Sequence, residues 1–524
     1  MSAAAEHEGA AEHEDAPLAG DVHVFADYDR DVAFEADAVV VGSGPAGAIV
    51  THQLAAAGHR VVLVEEGPPF TARDFRQDAA ESMTRTMRDG GLRTTTGHFM
   101  PVLQACALGG GSVVNSAICV RPPAWVFDEW CTRFDLERTT RAALDPHFDA
   151  VADFLGIAPT PDAVQGPRNL LFKQGCDALG IGSEPIERNV QGCRGSGECF
   201  TGCRPRAKQS MDVSYIPAAI GLGARVLTSV QVQRVRASRT RVFGIEGQVV
   251  EPFTGRRSHR VRVDAKIVVL AAGCMATPVL LQRSGDLANG SGQVGRNLQF
   301  HPGTAAAGVF AEPVDPLFGG TQSYQSLHYL RDGFKMETLW TAPPALAVRM
   351  PGVGAALVRH LAAMPHSVVF DAICSTHRSL GTVRARSGSL DPSIHWRLHP
   401  EDAGIMMHSV EVLCRLLLAA GAERILPGVH GLPEVITRRE EIDAISQRDA
   451  KPGDFTMASS HVFCTTRMHG RADEGVVDET GRCHDLDNLY VADTGVFPRC
   501  TSVNPMFTVM ALAHRQGEAL ADRL

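Results

Sequence analysis

The sequence has 524 residues, of which 44% are hydrophobic and 21% are charged, and its formal net charge is −9 at pH 7. This composition is typical of a globular protein, and the length suggests roughly two to four domains with a sizeable core. The negative charge argues against nucleic acid or an anionic membrane as the main partner. We expect no transmembrane segment, because no uncharged apolar run reaches the roughly 18 residues that a membrane helix needs.

The N-terminal 16 residues are acidic and rich in alanine. They lack the basic start and apolar stretch of a signal peptide, so we expect a disordered acidic tail and lead-in over residues 1–35 and a cytoplasmic protein. The chain contains 13 cysteines. An odd number of cysteines in a cytoplasmic protein favours thiols or metal ligands over disulfides.

Residues 36–67 predict a strand, a tight turn, a helix and a second strand. The two predicted strands are short β-branched runs, as in a buried parallel sheet, and the helix between them is rich in alanine. In chain order these elements are the strand over 38–41, the glycine-rich turn over 42–47, the helix over about 46–57 and the strand over 61–64.

The turn has the pattern Gly42-x-Gly44-x-x-Gly47. Gly42 permits the tight turn, Gly44 lets backbone N–H groups approach phosphate oxygens, and Gly47 lets the helix pack on the strand. Glu65 ends the second strand, where a carboxylate can bond ribose hydroxyls. The pattern therefore predicts a dinucleotide site for NAD, NADP or FAD; the alternative is a glycine-rich turn without a ligand.

A second glycine-rich turn occupies residues 108–115. Three consecutive glycines suit a loop that lies against a flat ligand, because no side chain intrudes. An ordinary surface turn is the alternative.

The later sequence alternates between strands and helices. Strand-like spacing is followed by a tight turn and a helix with proline near its first position, which is a common helix start. The segments concerned are strands over 225–235 and 261–270, a turn over 271–273, a helix from about 277, a long helix over 400–421, a return to strand-like sequence at 453–454 and a final helix over about 505–520.

Five separated motifs together resemble the glucose–methanol–choline (GMC) family of FAD-dependent oxidoreductases, over roughly residues 36–524. They are the Gly42–Glu65 unit, Gly109-Gly110-x-Ser112-x-x-Asn115, Ala272-Gly273…Thr277-Pro278, Ser460-His461…Thr465…Met468 and Asp493…Asn504-Pro505. The resemblance implies an α/β fold in which a Rossmann-like FAD-binding domain is interleaved with a sheet-based substrate domain. The expected FAD-binding domain comprises residues 36–126, 191–302 and 453–524, and the expected substrate domain comprises 127–190 and 303–452.

The resemblance also implies which residues hold FAD. Gly42, Gly44, Gly47 and Glu65 would bind its AMP half, with Glu65 on the ribose. Gly110, Ser112 and Asn115 would lie beside the flavin and pyrophosphate, Val232 would contact adenine through its backbone, and Asp493 would reach the pyrophosphate–ribityl region. Some family members attach FAD through a histidine where this chain has Val114, so we expect non-covalent FAD.

The expected reaction is the oxidation of an alcohol, in which flavin N5 takes a hydride from carbon and a base takes the hydroxyl proton. By the resemblance, His461 is the base and Asn504 orients the substrate oxygen. A neutral imidazole accepts a proton near pH 7, and an asparagine amide donates without competing for that proton. One departure is Cys464, where the family usually has glycine; its side chain could crowd the flavin or shift the loop of His461.

Three cysteines lie close together in sequence, with the spacing Cys193-x5-Cys199-x3-Cys203. This spacing resembles that of flavin-dependent glucose dehydrogenases with a three-iron cluster, and thiolates are suitable ligands for iron–sulfur clusters or zinc. A 3Fe–4S cluster, a structural thiol loop and a zinc site are the alternatives.

The substrate and the electron acceptor are less well indicated. The apolar segment Trp340–Met364 suggests a lipophilic pocket or a buried helix of the substrate domain, and we expect a lipophilic or bulky alcohol. The acceptor is O2, a quinone or a redox protein. Alternatives to a dehydrogenase are an O2-using alcohol oxidase, a non-redox FAD-containing lyase and a redox-silent FAD-binding subunit.

Overall fold

The structure is a computed structural model that describes residues 20–76, 78–315, 317–340, 343–347 and 350–524. Most of the predicted acidic tail, residues 1–19, lies outside this part of the chain. No helix in the described part is long and apolar enough to cross a membrane.

Strands and helices alternate along the described chain. The strands are β1 (Val22–His23), β2 (Val32–Val41), β3 (Val61–Val64), β4 (Thr96–Gly97), β5 (Ala158–Pro159), β6 (Glu184–Pro185), β7 (Glu187–Arg188), β8 (Arg225–Leu227), β9 (Val230–Ala237), β10 (Val242–Val250), β11 (Arg257–Leu270), β12 (Gln299–Phe300), β13 (Gly303–Val309), β14 (Tyr324–Ser326), β15 (Phe334–Leu339), β16 (Ser367–Cys374), β17 (Thr382–Arg386), β18 (Ser389–Trp396), β19 (Arg424–Leu426), β20 (Val462–Phe463) and β21 (Leu489–Val491). The helices are α1 (Pro45–Ala56), α2 (Ala79–Thr86), α3 (Ala124–Phe134), α4 (Arg141–Leu155), α5 (Pro167–Leu179), α6 (Tyr215–Gly221), α7 (Ala276–Arg283), α8 (Pro343–Ala347), α9 (Ala355–Ala362), α10 (Pro400–Ala419), α11 (Arg439–Asp443) and α12 (Met506–Ala521).

The larger sheet has eight strands in the order β1-β8-β3-β2-β11-β10-β9, with β21 paired to β11. The pairs from β1 to β11 are parallel, as is the pair β11–β21, whereas β10 and β9 run antiparallel. All four residues of β3 are buried, as expected for a strand covered on both faces. The helices α1, α4, α6 and α12 pack around this sheet.

The second sheet has six antiparallel strands in the order β19-β13-β16-β15-β14-β6. Its strands β15 and β16 are buried along nearly their whole length. On one face, Phe334, Met336 and Phe370 join the core beneath α10. The residues between them, including Glu337 and Asp371, line a cavity on the other face.

Two parts of the structure differ from the predicted domain boundaries. Residues 20–35, expected to be a disordered lead-in, form β1 and the first part of β2, because Val32 pairs with Val261 of β11. The helices α3 and α4, expected in the substrate domain, contribute Phe127 and Phe148 to the core of the larger sheet, where Phe148 stacks edge-on against Phe507 of α12. The aromatic side chains of α3 and α4 pack together with α12, so these two helices belong to the core of the larger sheet.

Gly47 allows the backbone of α1 to approach the end of β2. A Cβ atom on Gly47 would lie 2.0 Å from the carbonyl oxygen of Gly42 and 3.0 Å from the Cβ of Ala271. Gly404, on the exposed side of α10, is a contrasting case, because a Cβ there meets no atom within 4 Å.

We predict opposite effects of alanine at these two helical glycines. Gly47→Ala should lower the free energy of unfolding by about 1–3 kcal/mol, the usual cost of forcing an extra methyl group into a packed region. Gly404→Ala should raise it by roughly 0.5–1 kcal/mol through better helix propensity. Thermal unfolding followed by circular dichroism measures both, and equal midpoints for Gly47→Ala and the parent protein would contradict the close packing.

Candidate functional site

A cavity of about 470 Å³ lies between the two sheets. One wall is formed by the carboxyl ends of parallel strands, at Val41, Val64 and Ala492, and the other by β15 and β16. In open α/β sheets, ligands bind at the carboxyl ends of the strands, and the volume is in the usual range for small-molecule and cofactor sites.

The first glycine loop forms one end of this cavity. Gly42 has a φ of 104°, which is favourable only for glycine, and its amide donates to the carbonyl of Val64. A Cβ on Gly44 would meet no protein atom within 4 Å, and no side chain caps the helix that starts there. The first amides of α1 are therefore available to an anionic group, as in a phosphate site.

Glu65 is placed at the end of β3, as predicted, and its carboxylate is already engaged. One oxygen accepts from the amide and hydroxyl of Ser43 (2.9 and 2.6 Å), and the other accepts from the amide of Gly67 (2.8 Å). Burial raises the pKa of Glu65 above its usual value, against these hydrogen bonds. A carboxylate offers about four acceptor positions, so a ribose hydroxyl would use the one that is left.

The neighbouring acid, Glu66, also lines the cavity, and the sequence analysis missed it. Its carboxylate accepts from Arg88 at 2.7 Å and from Gln231 at 2.8 Å. Although burial opposes ionisation, Arg88 holds the pKa of Glu66 below its usual value. The signal in the sequence is the presence of two consecutive acids, Glu65 and Glu66, after the second strand. The nucleotide-binding pattern expects one acid at that place, so only Glu65 is predicted.

The second glycine loop begins with a turn of 3-10 helix over Gly110–Val113. A Cβ on Gly110 would lie 2.7 Å from the Cα of Gly44, so the two glycine loops touch through their backbones, whereas Gly111 meets nothing within 4 Å. Ser112 also faces the cavity, but its hydroxyl donates to the carbonyl of Gly109 and accepts from the amide of Met211. Ser112 therefore supports the shape of the loop.

Asn115 and Val114 end this loop and both line the cavity. The Asn115 amide donates to the sulfur of Met506 at 2.9 Å, and its oxygen accepts from the amide of Ala117 at 3.0 Å. Val114, at the position of the family's attachment histidine, has no group that could bond covalently to a flavin.

Val232 and Asp493 lie on the same cavity although they are far apart in the chain. Val232 is in β9. Asp493 accepts from the hydroxyl of Thr277 (2.6 Å) and the amides of Gly495 (2.7 Å) and Gly273 (3.1 Å). Burial raises the pKa of Asp493 to about 6.

His461 and Asn504 line the same cavity, together with His301. The Nδ1 atoms of His461 and His301 are 3.4 Å apart. Burial lowers the pKa of His461 to about 4 and that of His301 well below its usual value. Both imidazoles are therefore neutral near pH 7.

A buried ion pair holds the amide of Asn504. The Lys335 ammonium donates to the Asn504 Oδ1 at 2.7 Å and also bonds the carboxylate of Glu337. Because the oxygen of Asn504 is occupied, its NH2 group is the part that is left to donate to a ligand. The sequence prediction did not include this pair. The available signal is two charged residues, two positions apart, that alternate with apolar residues in the segment that forms β15.

Cys464 adopts a φ of 77°, the left-handed region where glycine is the usual residue. Its thiol lies 3.5 Å from the side-chain oxygen of Gln299, and it does not line the cavity. The cysteine therefore adopts a backbone conformation that glycine takes readily, and its side chain lies outside the ligand space.

The three cysteines of the 193–203 loop each have their own polar partner. Cys199 accepts from Arg188 at 3.1 Å, and Cys193 and Cys203 accept from backbone amides. Within the described residues, these thiols do not approach one another closely enough to hold a single ion such as zinc; the thiolates of a cluster stand further apart. Lys208 joins this loop to the second glycine loop by donating to the carbonyls of Val113, Asn115 and Cys199.

Comparison with known proteins is consistent with this architecture. Residues 83–303 match the N-terminal model of the GMC oxidoreductases and residues 377–513 match the C-terminal model, while residues 37–100 match a pyridine nucleotide-disulphide oxidoreductase model. An uncharacterized GMC-type oxidoreductase of Mycobacterium tuberculosis is 34% identical over 508 residues, which is 96% of this chain and 78% of the relative. A long-chain-alcohol oxidase of Arabidopsis thaliana is 30% identical, over 96% of this chain and 70% of its own.

A solved structure has the same fold. Pyridoxine 4-oxidase from Mesorbium loti superposes with a TM-score of 0.69 at 20% identity, covering 92% of this chain and 98% of its own. The two GMC models together match more than half of the sequence, and the Mycobacterium tuberculosis relative is 34% identical over 96% of this chain. The chain therefore belongs to the GMC oxidoreductase family.

Proposed function

We propose that the protein is an FAD-dependent enzyme that oxidises an alcohol CH–OH group to a carbonyl, with His461 as the base and Asn504 as the donor to the substrate oxygen. The observation that carries the proposal is that a neutral, partly buried histidine and an asparagine with its oxygen occupied line the same cavity as the two glycine loops. Membership of a flavoprotein family supports the cofactor.

The cavity fits an extended dinucleotide without a covalent link. Gly44, Gly111 and Gly273 each leave open space where a side chain would project, and the start of α1 offers free amides to the pyrophosphate. We assign FAD to this space, with Glu65, Val232 and Asp493 along its length. When bound, the flavin supplies the acceptor for the hydride of the alcohol carbon.

His461 can take the hydroxyl proton because burial keeps its ring neutral. Its Nδ1 faces the Nδ1 of His301, which leaves Nε2 for the substrate. Burial has the largest effect on its pKa and lowers it, while Glu337 raises the pKa and Lys335 lowers it by smaller amounts. A base without a permanent charge suits a reaction in which the substrate loses a proton and a hydride together.

Asn504 stabilises charge that develops on the substrate oxygen. Its NH2 group is fixed as a donor because Lys335 holds the amide oxygen, so no reorientation is needed as the alkoxide forms. Glu337, bonded by Lys335 and by Gln322 at 2.8 Å, balances the lysine charge. Lys335 thus acts as a positioning residue for Asn504.

For the substrate we propose a lipophilic or bulky alcohol, which the resemblance to a long-chain-alcohol oxidase supports. In the segment that first suggested it, Trp340 and Leu346 are buried in a core with Ala307 and Val369, whereas Val353 and Val358 are exposed. None of its described residues lines the cavity, and residues 341–342 and 348–349 lie outside the described chain. A panel that compares long-chain alcohols with a free sugar separates the substrate classes.

Three alternatives are separated by simple measurements on the purified protein. Peroxide formation in air, compared with turnover of an artificial acceptor without air, distinguishes an oxidase from a dehydrogenase that uses a quinone or redox protein. A substrate that turns over without bleaching the flavin indicates a lyase. Iron content and absorbance beyond the flavin bands decide whether Cys193, Cys199 and Cys203 carry a 3Fe–4S cluster.

The first prediction from this proposal concerns the glycine loop that would hold the cofactor. Gly44→Ala should weaken FAD binding roughly fivefold or more, because an added methyl group in a close contact costs about 1–3 kcal/mol, while the fold stays intact because no protein atom opposes it. The flavin-to-protein ratio after dialysis measures this, with Gly404→Ala as the matched control. Unchanged FAD retention in Gly44→Ala would place the phosphates elsewhere.

The second prediction tests the base. His461→Ala should slow anaerobic bleaching of the flavin by an alcohol about 10²–10⁴-fold, the usual cost of losing a general base, with FAD still bound. His408→Ala, on α10 and outside the cavity, should bleach at the parent rate. A near-normal rate in His461→Ala, with full FAD content, would refute the assignment.

The third prediction is the pH profile of the same step. The neutral form of His461 is the active base, so bleaching slows only as pH falls through the lowered pKa of about 4. The rate at low alcohol concentration should therefore be flat from about pH 7.5 to about 5.5, below the ordinary histidine value of about 6.5. An acid limb centred near 6.5 would show that the active base is a histidine in a more solvated setting.

A further inference from the structure

Three side chains from two packed helices converge at a place outside the alcohol cavity. His147 belongs to α4, and His514 and Glu518 belong to α12. None of the three lines the cavity. His514 and Glu518 are four residues apart on α12, a spacing that puts both side chains on one face of the helix. In the described part of the chain, the ligand atoms of these three side chains lie close enough together to hold a metal ion.

The distances within this group match a coordination shell. The two Nδ1 atoms are 3.1 Å apart, the His147 Nδ1 is 3.5 Å from one oxygen of Glu518, and the His514 Nδ1 is 3.6 Å from the other. A tetrahedral zinc ion, with bonds of about 2.0–2.2 Å, separates its ligand atoms by about 3.3–3.5 Å. An ion can therefore be placed between the three side chains with small rotations only.

The chemistry of the donors indicates the class of ion. Two imidazoles and one carboxylate suit zinc and its neighbours in the transition series, whereas magnesium and calcium prefer oxygen ligands throughout. Burial lowers the pKa values of both histidines, so their lone pairs are available at neutral pH.

The surroundings allow an ion to enter and leave. Glu518 is exposed, with 52% of its side chain accessible, while His147 and His514 are largely covered. The neighbouring cation, Arg515, donates to the backbone carbonyls of Arg138 and Glu479. His52 of α1 is also nearby: burial, and to a smaller extent His514, lower its pKa.

We propose that His147, His514 and Glu518 form a binding site for a divalent transition-metal ion of the zinc type, with water in the fourth position. The ion would join α4 to α12, the helix that directly follows Asn504-Pro505. It would thus stabilise the C-terminal helix behind the catalytic asparagine without touching the substrate. Three protein ligands and an open position make the ion exchangeable.

The test compares zinc uptake by the full-length, FAD-containing protein and its variants. Each protein is stripped with a chelator, dialysed against zinc chloride and analysed for metal, and its thermal unfolding is followed by circular dichroism with and without zinc. The parent protein should bind one more equivalent than His147→Ala or Glu518→Gln, and zinc should raise only the parent's midpoint, since a ligand that binds the folded state stabilises it.

His408→Ala is the matched control, because His408 and Glu411 form a histidine–glutamate pair 3.8 Å apart on α10 without a third ligand. It should take up zinc as the parent does. Zinc bound anywhere else on the chain is common to all variants and cancels. Equal uptake by the parent, Glu518→Gln and His147→Ala would overturn the proposal, and Glu518→Gln, an exposed change, keeps the test valid where His147→Ala fails to fold.

Discussion

The structure depends on the direct contact of backbone segments that have no side chains between them. A Cβ on Gly47 would meet the Gly42 carbonyl at 2.0 Å, one on Gly42 would meet the Ala271 carbonyl at 2.3 Å, and one on Gly110 would meet the Cα of Gly44 at 2.7 Å. Interiors are packed too densely to absorb such overlaps. These contacts bring the end of β2, the start of α1, the turn after β11 and the second glycine loop around one space, and the candidate FAD site follows from that closeness.

The sequence predicts this nucleotide half well because its determinants are local. Gly42, Gly44 and Gly47 act through the backbone within one strand–turn–helix unit, and the predicted helix over 46–57 is α1, Pro45–Ala56. The long helix predicted over 400–421 is likewise α10, Pro400–Ala419. Periodicity, proline near the first turn and glycine after the last one are sufficient for such elements.

The parts that sequence analysis missed depend on distant segments. Lys335 is meaningful only because Asn504, 169 residues later, accepts its hydrogen bond, and a charged residue in a strand predicts an exposed face unless its partner is known. The packing of α3 and α4 depends on a distant segment in the same way, because their aromatic residues share a core with α12, at the other end of the chain. The resemblance singles out His461 and Asn504 as candidates, but not Lys335, which bonds Asn504.

The ion pair of Lys335 and Glu337, beside the candidate cavity, costs free energy in isolation, since two charges lose their hydration when they are buried. Lys335 and Glu337 are almost fully inaccessible, and each has a further polar partner, in Asn504 and Gln322. Complete hydrogen bonding is what makes such a network tolerable. The two members act on His461 in opposite directions, since Glu337 raises its pKa and Lys335 lowers it.

The pairing of β11 has a consequence for the order in which the protein is made. Its first half is covered by β10, but Val268–Leu270 pair with β21, which arrives more than 200 residues later. During synthesis this stretch of the strand is an open edge, and open edges invite pairing with other chains. Pairing between segments so far apart in sequence is slow, so this edge stays open until β21 emerges. Asp493 lies two residues beyond β21, so this wall of the cavity is completed only at the end of folding.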